Sequence, residues 1–363
     1  MGCCEATNPD FEGAGPGAPT GTSWRWPPAD TDVDRRTAVK GMLAATGTLA
    51  IGSCGPRPGD TTVRLAFCGQ LLCVVPYEVT RARGHFADEG LDIELVYTRG
   101  GNAAMQALVG GAVDYAGTSF DVALQAVANG ANIRRFASTG RLPLFALAVS
   151  PHEIDTVLEV ADLEGRTVGI SGLGNADHTL LLFLLDQAQV DVGSVRFAAI
   201  GTNLFDALRI GQVDAGMVQE PSLSLVVEAG GRELVNFMEI EQAREHLGGA
   251  YEFMGVSVRA DERDMRVPEM RRLAAALAKG LADTRTLPSD EVIAALPSAL
   301  LAGGDVDRLR DIIERYRLSL YPESVAIEPD AAQRVVRAQE VSGLLVPGSI
   351  DLSVLLDTET LSG

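Results

Sequence analysis

Strand-like and helix-like patterns alternate along the chain from Thr62 to about Asp261. Short runs rich in β-branched and aromatic residues occur at 62–67, 91–97, 115–118, 145–149, 167–170, 195–199 and 215–218. The helical patterns between them include 102–109, 121–129, 178–189 and 204–210. This alternation predicts largely parallel sheets with helices on both faces. Beyond Asp261 the pattern is nearly all helical, with Pro268 in a first helical turn and Ser289-Asp290-Glu291 at another helix start.

A helix-to-strand segment of the chain repeats after 100 positions. The residues Gly101, Ala107, Leu108, Gly111, Val113 and Asp114 recur as Gly201, Ala207, Leu208, Gly211, Val213 and Asp214. In both copies a glycine is expected to end the helix in the left-handed conformation, and Val-Asp then opens a strand. Two similar α/β units predict two similar lobes.

The N-terminal region has a different character. Residues 1–33 are rich in Gly, Pro and Ala and are predicted to be unfolded. Arg35-Arg36 and Lys40 precede an uncharged run of 13 residues, 41–53, which ends at Cys54. That run is shorter than the ~20 apolar residues of a membrane-spanning helix, so it is typical of an export signal. The alternative is a disordered arm that happens to contain two arginines.

Charge and length narrow the class of protein. The chain has 49 acidic and 30 basic residues, a net charge of −19, and no basic run longer than short arginine pairs. Nucleic acid is therefore not expected as a partner, because phosphate binding needs clustered Lys and Arg. About 310 of the 363 residues follow Cys54, enough for two lobes.

The cysteines fit an exported protein. Cys3 and Cys4 would leave with the signal and Cys54 would carry a lipid, so that only Cys68 and Cys73 remain in the fold. These two form either a disulfide or a pair of buried free thiols. Since the chain has no CxxC motif and its four histidines are scattered, neither a metal site nor a cofactor is predicted.

Several motifs resemble one family in their order along the chain. Residues 84–94, GHFADEGLDIE, resemble a signature of the solute-binding proteins of ABC transporters of the nitrate/sulfonate/taurine type, a family that includes binders of thiamine pyrimidine precursors. Residues 100–102, 112–114, 162–169 and 211–215, with Glu220-Pro221, follow the same pattern. The segment from Arg35 to Cys54 is similar to a twin-arginine signal followed by a lipobox.

The resemblance implies a fold and a domain organisation. The fold would be the two-lobe periplasmic-binding-protein type II fold, in which each lobe is a mostly parallel sheet flanked by helices, with a helical C-terminal region. Residues 1–54 would be the lipoprotein signal and 55–60 a tether. Lobe 1 would comprise 61–150 and 252–363, lobe 2 would comprise 151–251, and the crossings would lie near Ser150-Pro151 and 251–255.

The same resemblance implies a function. The protein would be a monomeric, non-enzymatic receptor for a small anionic or zwitterionic organic solute. It would work as a periplasmic or cell-surface lipoprotein beside the permease and ATPase of an importer. Two alternatives remain: an enzyme of pyrimidine or menaquinone biosynthesis on this fold, and a sensor that does not transport. An incomplete G-x-G-x-x-D sequence at 172–177 and the absence of a P-loop lysine argue against nucleotide chemistry.

Candidate ligand contacts follow from the position of loops in open sheets, where solutes bind beyond the carboxyl ends of parallel strands. The residues in such loops are Gln70, Asn102, Thr118, Ser119, Ser171, Gly174, Asn175, His178, Gln219 and Glu220. Loop 171–179 has glycines and precedes a helix, which favours an anionic group unless Asp177 caps that helix. Thr118 and Ser119 could equally cap a helix, His178 could simply pack, and Glu220 could lie outside the cleft. Phe67, Tyr77, Phe120 and Tyr251 are candidate aromatic faces.

Overall fold

Two five-stranded sheets organise the part of the chain that the computed structural model describes, residues 62–301 and 305–361. The strand order is β2-β1-β3-β10-β4 in the first sheet and β7-β6-β8-β5-β9 in the second. The strands are β1 Val63–Cys68, β2 Ile93–Thr98, β3 Tyr115–Ser119, β4 Ile133–Gly140, β5 Ala146–Val149, β6 Thr167–Ile170, β7 Arg196–Ala199, β8 Ala215–Val218, β9 Arg232–Asn236 and β10 Met254–Arg259.

Helices flank both sheets and make up most of the C-terminal region. They are α1 Leu71–Ala82, α2 His85–Asp88, α3 Gly101–Val109, α4 Phe120–Ala128, α5 Ala176–Gln187, α6 Leu204–Arg209, α7 Ser222–Glu228, α8 Ile240–Leu247, α9 Arg263–Thr286, α10 Ser289–Ala294, α11 Ser298–Leu301, α12 Val306–Leu320, α13 Pro329–Val341 and α14 Leu352–Leu355. No helix in the described ranges is both long enough and apolar enough to span a membrane.

The two sheets share one topology. In each, three neighbouring strands are parallel, while the fourth strand of the order, β10 or β5, runs antiparallel to both of its neighbours. The antiparallel strand β10 comes from a part of the chain remote from β1, β2 and β3, whereas β5 is the strand immediately before β6. The predicted two-lobe α/β architecture is confirmed.

The 100-residue repeat has a structural basis. A carboxylate oxygen of Asp114 accepts from the backbone N–H of Arg64 at 2.8 Å, and that of Asp214 accepts from Thr167 N–H at 2.7 Å. Each aspartate thus fixes the start of the neighbouring parallel strand, β1 or β6. The glycines before them, Gly111 and Gly211, have φ values of +73° and +72°, the left-handed conformation predicted for them.

Two details differ from the predicted elements. Helix α9 begins at Arg263, so Pro268 lies inside the helix and not in its first turn. Proline has no N–H to donate at this position. Strands β4, β9 and β10 and helix α1 have no counterpart in the predicted pattern. The helix start at Ser289 is confirmed.

The first crossing between the sheets lies earlier than predicted. Strand β5 pairs with β8 and β9 of the second sheet, so the chain changes lobe between Gly140 and Ala146 and not at Ser150-Pro151. The second crossing runs beside the first, because Tyr251 N–H donates to Arg141 O at 2.9 Å and Phe253 N–H donates to Gly140 O at 3.0 Å. The crossings form a short two-stranded connection.

The C-terminal helices contact both lobes, whereas residues 252–363 were predicted to belong to lobe 1. Helix α9 packs on α1, α2 and β4 of the first lobe. Helix α12 reaches the second lobe through Arg315, which pairs with Glu233 and Glu239, and helix α13 packs on both α4 and α5. The predicted assignment of residues 252–363 to lobe 1 does not hold here, because the C-terminal helices contact both lobes.

Candidate functional site

An interlobe cleft lies where loops from both sheets face each other, and it has two connected parts. The first part, here called the Asn102 side, has a volume of about 340 Å³. The second, called the Glu220 side, has a volume of about 360 Å³. Both parts are lined by Gln70, Phe145, Ser171, Gly201 and Gln219, so these residues lie at their junction.

A hydrogen bond connects the two lobes across the cleft. Asn102, at the start of α3 in the first lobe, donates from Nδ2 to Oδ1 of Asn175 at 2.8 Å. Asn175 is the residue that precedes α5 in the second lobe, and its own Nδ2 donates to Ser171 Oγ at 2.9 Å. The pair therefore connects the two lobes directly at the edge of the cleft.

The loop between β6 and α5 is held by Asp177. One carboxylate oxygen accepts from Ser171 N–H at 2.5 Å and the other accepts from Ser171 Oγ at 2.7 Å. Burial raises the pKa of Asp177, although hydrogen bonds from Ser171 and from backbone amides act in the opposite direction. Asp177 is not the N-cap residue, which is Asn175, but its carboxylate still occupies the positive end of α5.

His178 serves the same loop. Its Nδ1 accepts from Gly174 N–H at 3.1 Å. Its ring packs edge-to-face with the ring of Phe197, and the two ring centroids are 5.0 Å apart. The positive φ of Gly174, +76°, turns the backbone so that this bond can form. Burial lowers the pKa of His178, which favours the neutral ring that can accept this hydrogen bond.

Seven of the ten predicted contacts line the cleft. Gln70, Asn102, Ser119, Ser171, Asn175 and Gln219 line the Asn102 side, and Glu220 lines the Glu220 side. Thr118, Gly174 and His178 are not among the lining residues. Thr118 is fully buried, and its hydroxyl has no hydrogen-bond partner among the described residues.

Ser119 and Glu220 each have an additional structural role. Ser119 Oγ accepts from Val122 N–H at 3.4 Å and caps α4, so capping and lining coexist in one side chain. Glu220 is 5% exposed, and one of its oxygens accepts from Ser224 N–H at 3.1 Å. Burial raises the pKa of Glu220, with opposing contributions from Ser224, Tyr316 and Arg315.

Two glutamine side chains are free to bind a solute. The side-chain amides of Gln70 and Gln219 have no hydrogen-bond partner within 62–301 and 305–361, and both residues are half-buried at the junction of the cleft. A half-buried amide without a partner can donate and accept at the same place. These two side chains, one from each lobe, can therefore orient a polar group between them.

The family of the chain follows from a domain match on this same region. A family model described as NMT1/THI5 like matches residues 74–291, more than half of the chain. The chain belongs to the NMT1/THI5-like family. The matched residues include the Asn102–Asn175 pair and most of the residues that line the cleft; the lining residues outside the match lie at 68–73 and 300–309.

Solved structures similar to this NMT1/THI5-like protein share its fold. A protein of Bordetella bronchiseptica RB50 is 25% identical, has a TM-score of 0.74, and covers 84% of this chain and 96% of its own. The periplasmic aliphatic sulphonate binding protein SsuA of Escherichia coli is 19% identical, with a TM-score of 0.64 and coverages of 80% and 96%. For the periplasmic nitrate-binding protein NrtA of Synechocystis PCC 6803 the values are 13%, 0.65, 83% and 87%.

The predicted family resemblance and the predicted periplasmic-binding-protein fold are thus confirmed. No curated protein sequence matches the chain.

The cleft of this family member also contains residues that the sequence did not single out. Arg99, Phe145, Phe253 and Met254 line the Asn102 side. The aromatic residues expected there, Phe67, Tyr77, Phe120 and Tyr251, are instead fully buried in the core and do not line the cleft. Arg99 could have been found from its place beside Gly100-Gly101, in a loop already assigned to the site.

Proposed function

We propose that this chain is the solute-binding component of an ABC importer, and that its two lobes close around a small organic solute with an anionic group. The observation that carries the proposal is the Asn102–Asn175 hydrogen bond, which joins the lobes across a cleft lined by polar side chains from both. Closure of the lobes around the solute is a binding event without a covalent step. The names of SsuA and NrtA, which share the fold, describe binding proteins.

An anionic group is proposed because of Arg99. It lines the cleft, it is exposed, and it has no hydrogen-bond or ion-pair partner among the described residues. The start of α5 is a poorer anion site, since the Asp177 carboxylate already lies there. Guanidinium groups bind carboxylate, sulfonate or phosphate oxygens in pairs. Phe145 and Phe253 would contact the organic part of the solute.

Partners and location complete the proposal. The permease and the ATPase would be separate chains, and the receptor would work outside the cytoplasm as a monomer. The signal and lipid-attachment site lie in residues 1–54, outside the described residues, and residues 55–60 would serve as the tether. Lipid attachment at Cys54 would keep the receptor close to its importer.

We expect one class of anionic solute to stabilise the full-length protein in a thermal-shift screen in buffer containing a metal chelator. The panel contains sulfonates, nitrate, amino acids, pyrimidines and polyamines. At 100-fold excess over Kd, binding adds ~2.7 kcal/mol and raises the melting temperature by roughly 5 °C. Arg99→Gln should weaken the affinity for that solute at least about 10-fold, because a charged hydrogen-bond donor is lost.

The matched control is Arg337→Gln, which removes an exposed arginine of α13 that does not line the cleft. It should bind the solute like the unmodified protein. Equal losses in both variants would mean that net charge, and not Arg99, sets the affinity. Conversion of the solute to a product, detected by mass spectrometry, would overturn the receptor proposal in favour of an enzyme.

A second expected result concerns the anchor. In its host, Cys54→Ala should move the protein from the membrane fraction to the soluble exported fraction, because a diacyl anchor holds a protein far more stably than a surface contact. Cys3→Ala is the control and should leave the distribution unchanged. Membrane attachment that survives in Cys54→Ala would contradict the proposed lipoprotein.

A further inference from the structure

Three sulfur atoms lie together in the wall of the cleft, in a group here called the sulfur cluster: Cys68, Cys73 and Met254. All three residues line the Asn102 side, and each is no more than 7% exposed. The two cysteines are free thiols. The Cys73 Sγ atom lies 4.0 Å from Met254 Sδ, in the geometry of a weak S–H···S hydrogen bond.

The two thiols of the sulfur cluster also contact each other. The hydrogen bond between them lowers the pKa of Cys68 and raises that of Cys73. Burial adds to the rise at Cys73 and opposes the fall at Cys68, whose sulfur also accepts from the backbone of Gln70. Cys73 therefore lies between two sulfur partners.

The backbone holds this arrangement rigidly. Cys68 ends β1, Cys73 lies in the first turn of α1, and Met254 begins β10, the strand that enters the first sheet from the second crossing. Ligands placed on strands and helices are positioned more accurately than ligands on loops. All three sulfurs are therefore carried by regular elements of the first lobe and not by loops.

The distance suits a soft metal ion. Cys73 Sγ and Met254 Sδ are 4.0 Å apart, so an ion at the metal–thiolate bond length of about 2.3 Å from both would have an S–metal–S angle of about 120°, the angle of trigonal coordination. Thiolate and thioether ligands together select Cu(I), whereas hard cations prefer oxygen. We propose that Cys68, Cys73 and Met254 form a Cu(I)-binding site in the wall of the cleft.

The binding step balances without a redox reaction. Each thiol releases its proton to solvent and forms one sulfur–copper bond, and Met254 donates a lone pair, so copper stays monovalent throughout. The product has one net negative charge, and Arg99 lines the same part of the cleft. Because each thiol must lose its proton when the ion binds, the affinity for Cu(I) should increase with pH.

This site differs from a conventional cluster of metal ligands. The described residues contain no group of three or more His, Cys, Asp or Glu that could hold a metal. The sulfur cluster contains only two residues of these types, Cys68 and Cys73, and its third ligand would be the thioether of Met254. The site does not depend on the proposed solute, since it needs only these three side chains, and metal binding and solute binding are measured separately.

The test uses the full-length protein with Cys3→Ser, Cys4→Ser and Cys54→Ser, so that Cys68 and Cys73 are the only cysteines. Under anaerobic conditions it is titrated with Cu(I) supplied as the bicinchoninate complex, without any organic solute. We expect one Cu(I) per chain, and X-ray absorption should show three sulfur neighbours at about 2.3 Å. In this background, Cys73→Ser should lower the affinity roughly 100-fold and Met254→Leu roughly 10-fold.

The matched control in the same background is Met270→Leu, which changes a fully buried methionine of α9 that does not line the cleft. Its Cu(I) affinity should equal that of the background protein. Melting temperatures within about 3 °C of one another would show that all variants fold. Failure of the background protein to compete with bicinchoninate, or a Met254→Leu affinity equal to that of Met270→Leu, would overturn the proposed site.

Discussion

Replacing Arg135 with methionine is expected to lower the free energy of unfolding by about 3–5 kcal/mol at pH 7.5, because it leaves a buried carboxylate without its cation. Arg135 is fully buried in β4. Its Nε donates to Glu252 Oε1 at 3.3 Å, Nη1 to Thr118 O at 3.1 Å and Nη2 to Phe253 O at 2.8 Å. The side chain thus ties β4 to β3 and to the second crossing.

Glu252 determines how this loss depends on pH. Burial raises the pKa of Glu252 to about 7, although Arg135 and Ser138 act to lower it. Without Arg135 that pKa should rise further, so Arg135→Met should cost less stability at pH 5.5, where Glu252 is protonated, than at pH 7.5. Urea unfolding at the two pH values measures the difference.

Arg134→Met is the matched control, because Arg134 is the neighbouring residue on β4 and is only half-buried. It should change stability by less than about 0.5 kcal/mol. The double variant Arg135→Met with Glu252→Gln should recover part of the loss, since it removes the unpaired charge. Equal effects of the two single arginine variants would show that Arg135 does not act through the buried pair.

Arg135 also explains why β4 could not be predicted. The strand reads Ile-Arg-Arg-Phe-Ala-Ser-Thr-Gly, and its two arginines suggest an exposed segment. Arg135 is instead buried because Glu252, 117 positions later, supplies the opposite charge. The pattern of hydrophobic and polar positions shows that a residue is polar, but it does not show that a residue far along the chain will pair with it. Strands β1, β6 and β8 were predictable because their apolar runs need no such partner.

The candidate site could likewise be predicted only in part. Loops after parallel strands were predictable, since the carboxyl ends of such strands meet at one edge. Ser119 lines the cleft while Thr118, its neighbour on β3, does not, because successive side chains of a strand point to opposite faces. Met254 could not be placed at the site, since β10 enters the first sheet from a remote part of the chain.

Asp121 lies at a junction that links the crossing, the first lobe and the C-terminal helices. Its Oδ1 accepts from Tyr251 Oη at 3.1 Å and from Gln339 Nε2 at 3.2 Å. The same Gln339 amide donates to Thr179 of the second lobe at 3.3 Å. The other oxygen, Oδ2, is buried without a hydrogen-bond partner among the described residues, so ionisation of Asp121 leaves a poorly solvated charge at this junction.

Asp121→Asn should therefore gain stability relative to the unmodified protein as pH rises. Burial raises the pKa of Asp121 from 3.8 to about 6, so its protonated form is favoured in the folded state. That contribution is complete below pH 3.8 and is lost as pH rises through 6. The difference in unfolding free energy between Asp121→Asn and the unmodified protein should grow by about 2 kcal/mol from pH 4.5 to pH 7.5 in urea titrations.

The control for this prediction is Asp155→Asn, at an exposed position. The prediction is wrong if the difference in unfolding free energy between Asp121→Asn and the unmodified protein stays constant with pH. Asp121 would then be ionised in the folded protein throughout this range, and its hydrogen bonds to Tyr251 and Gln339 would compensate for its burial.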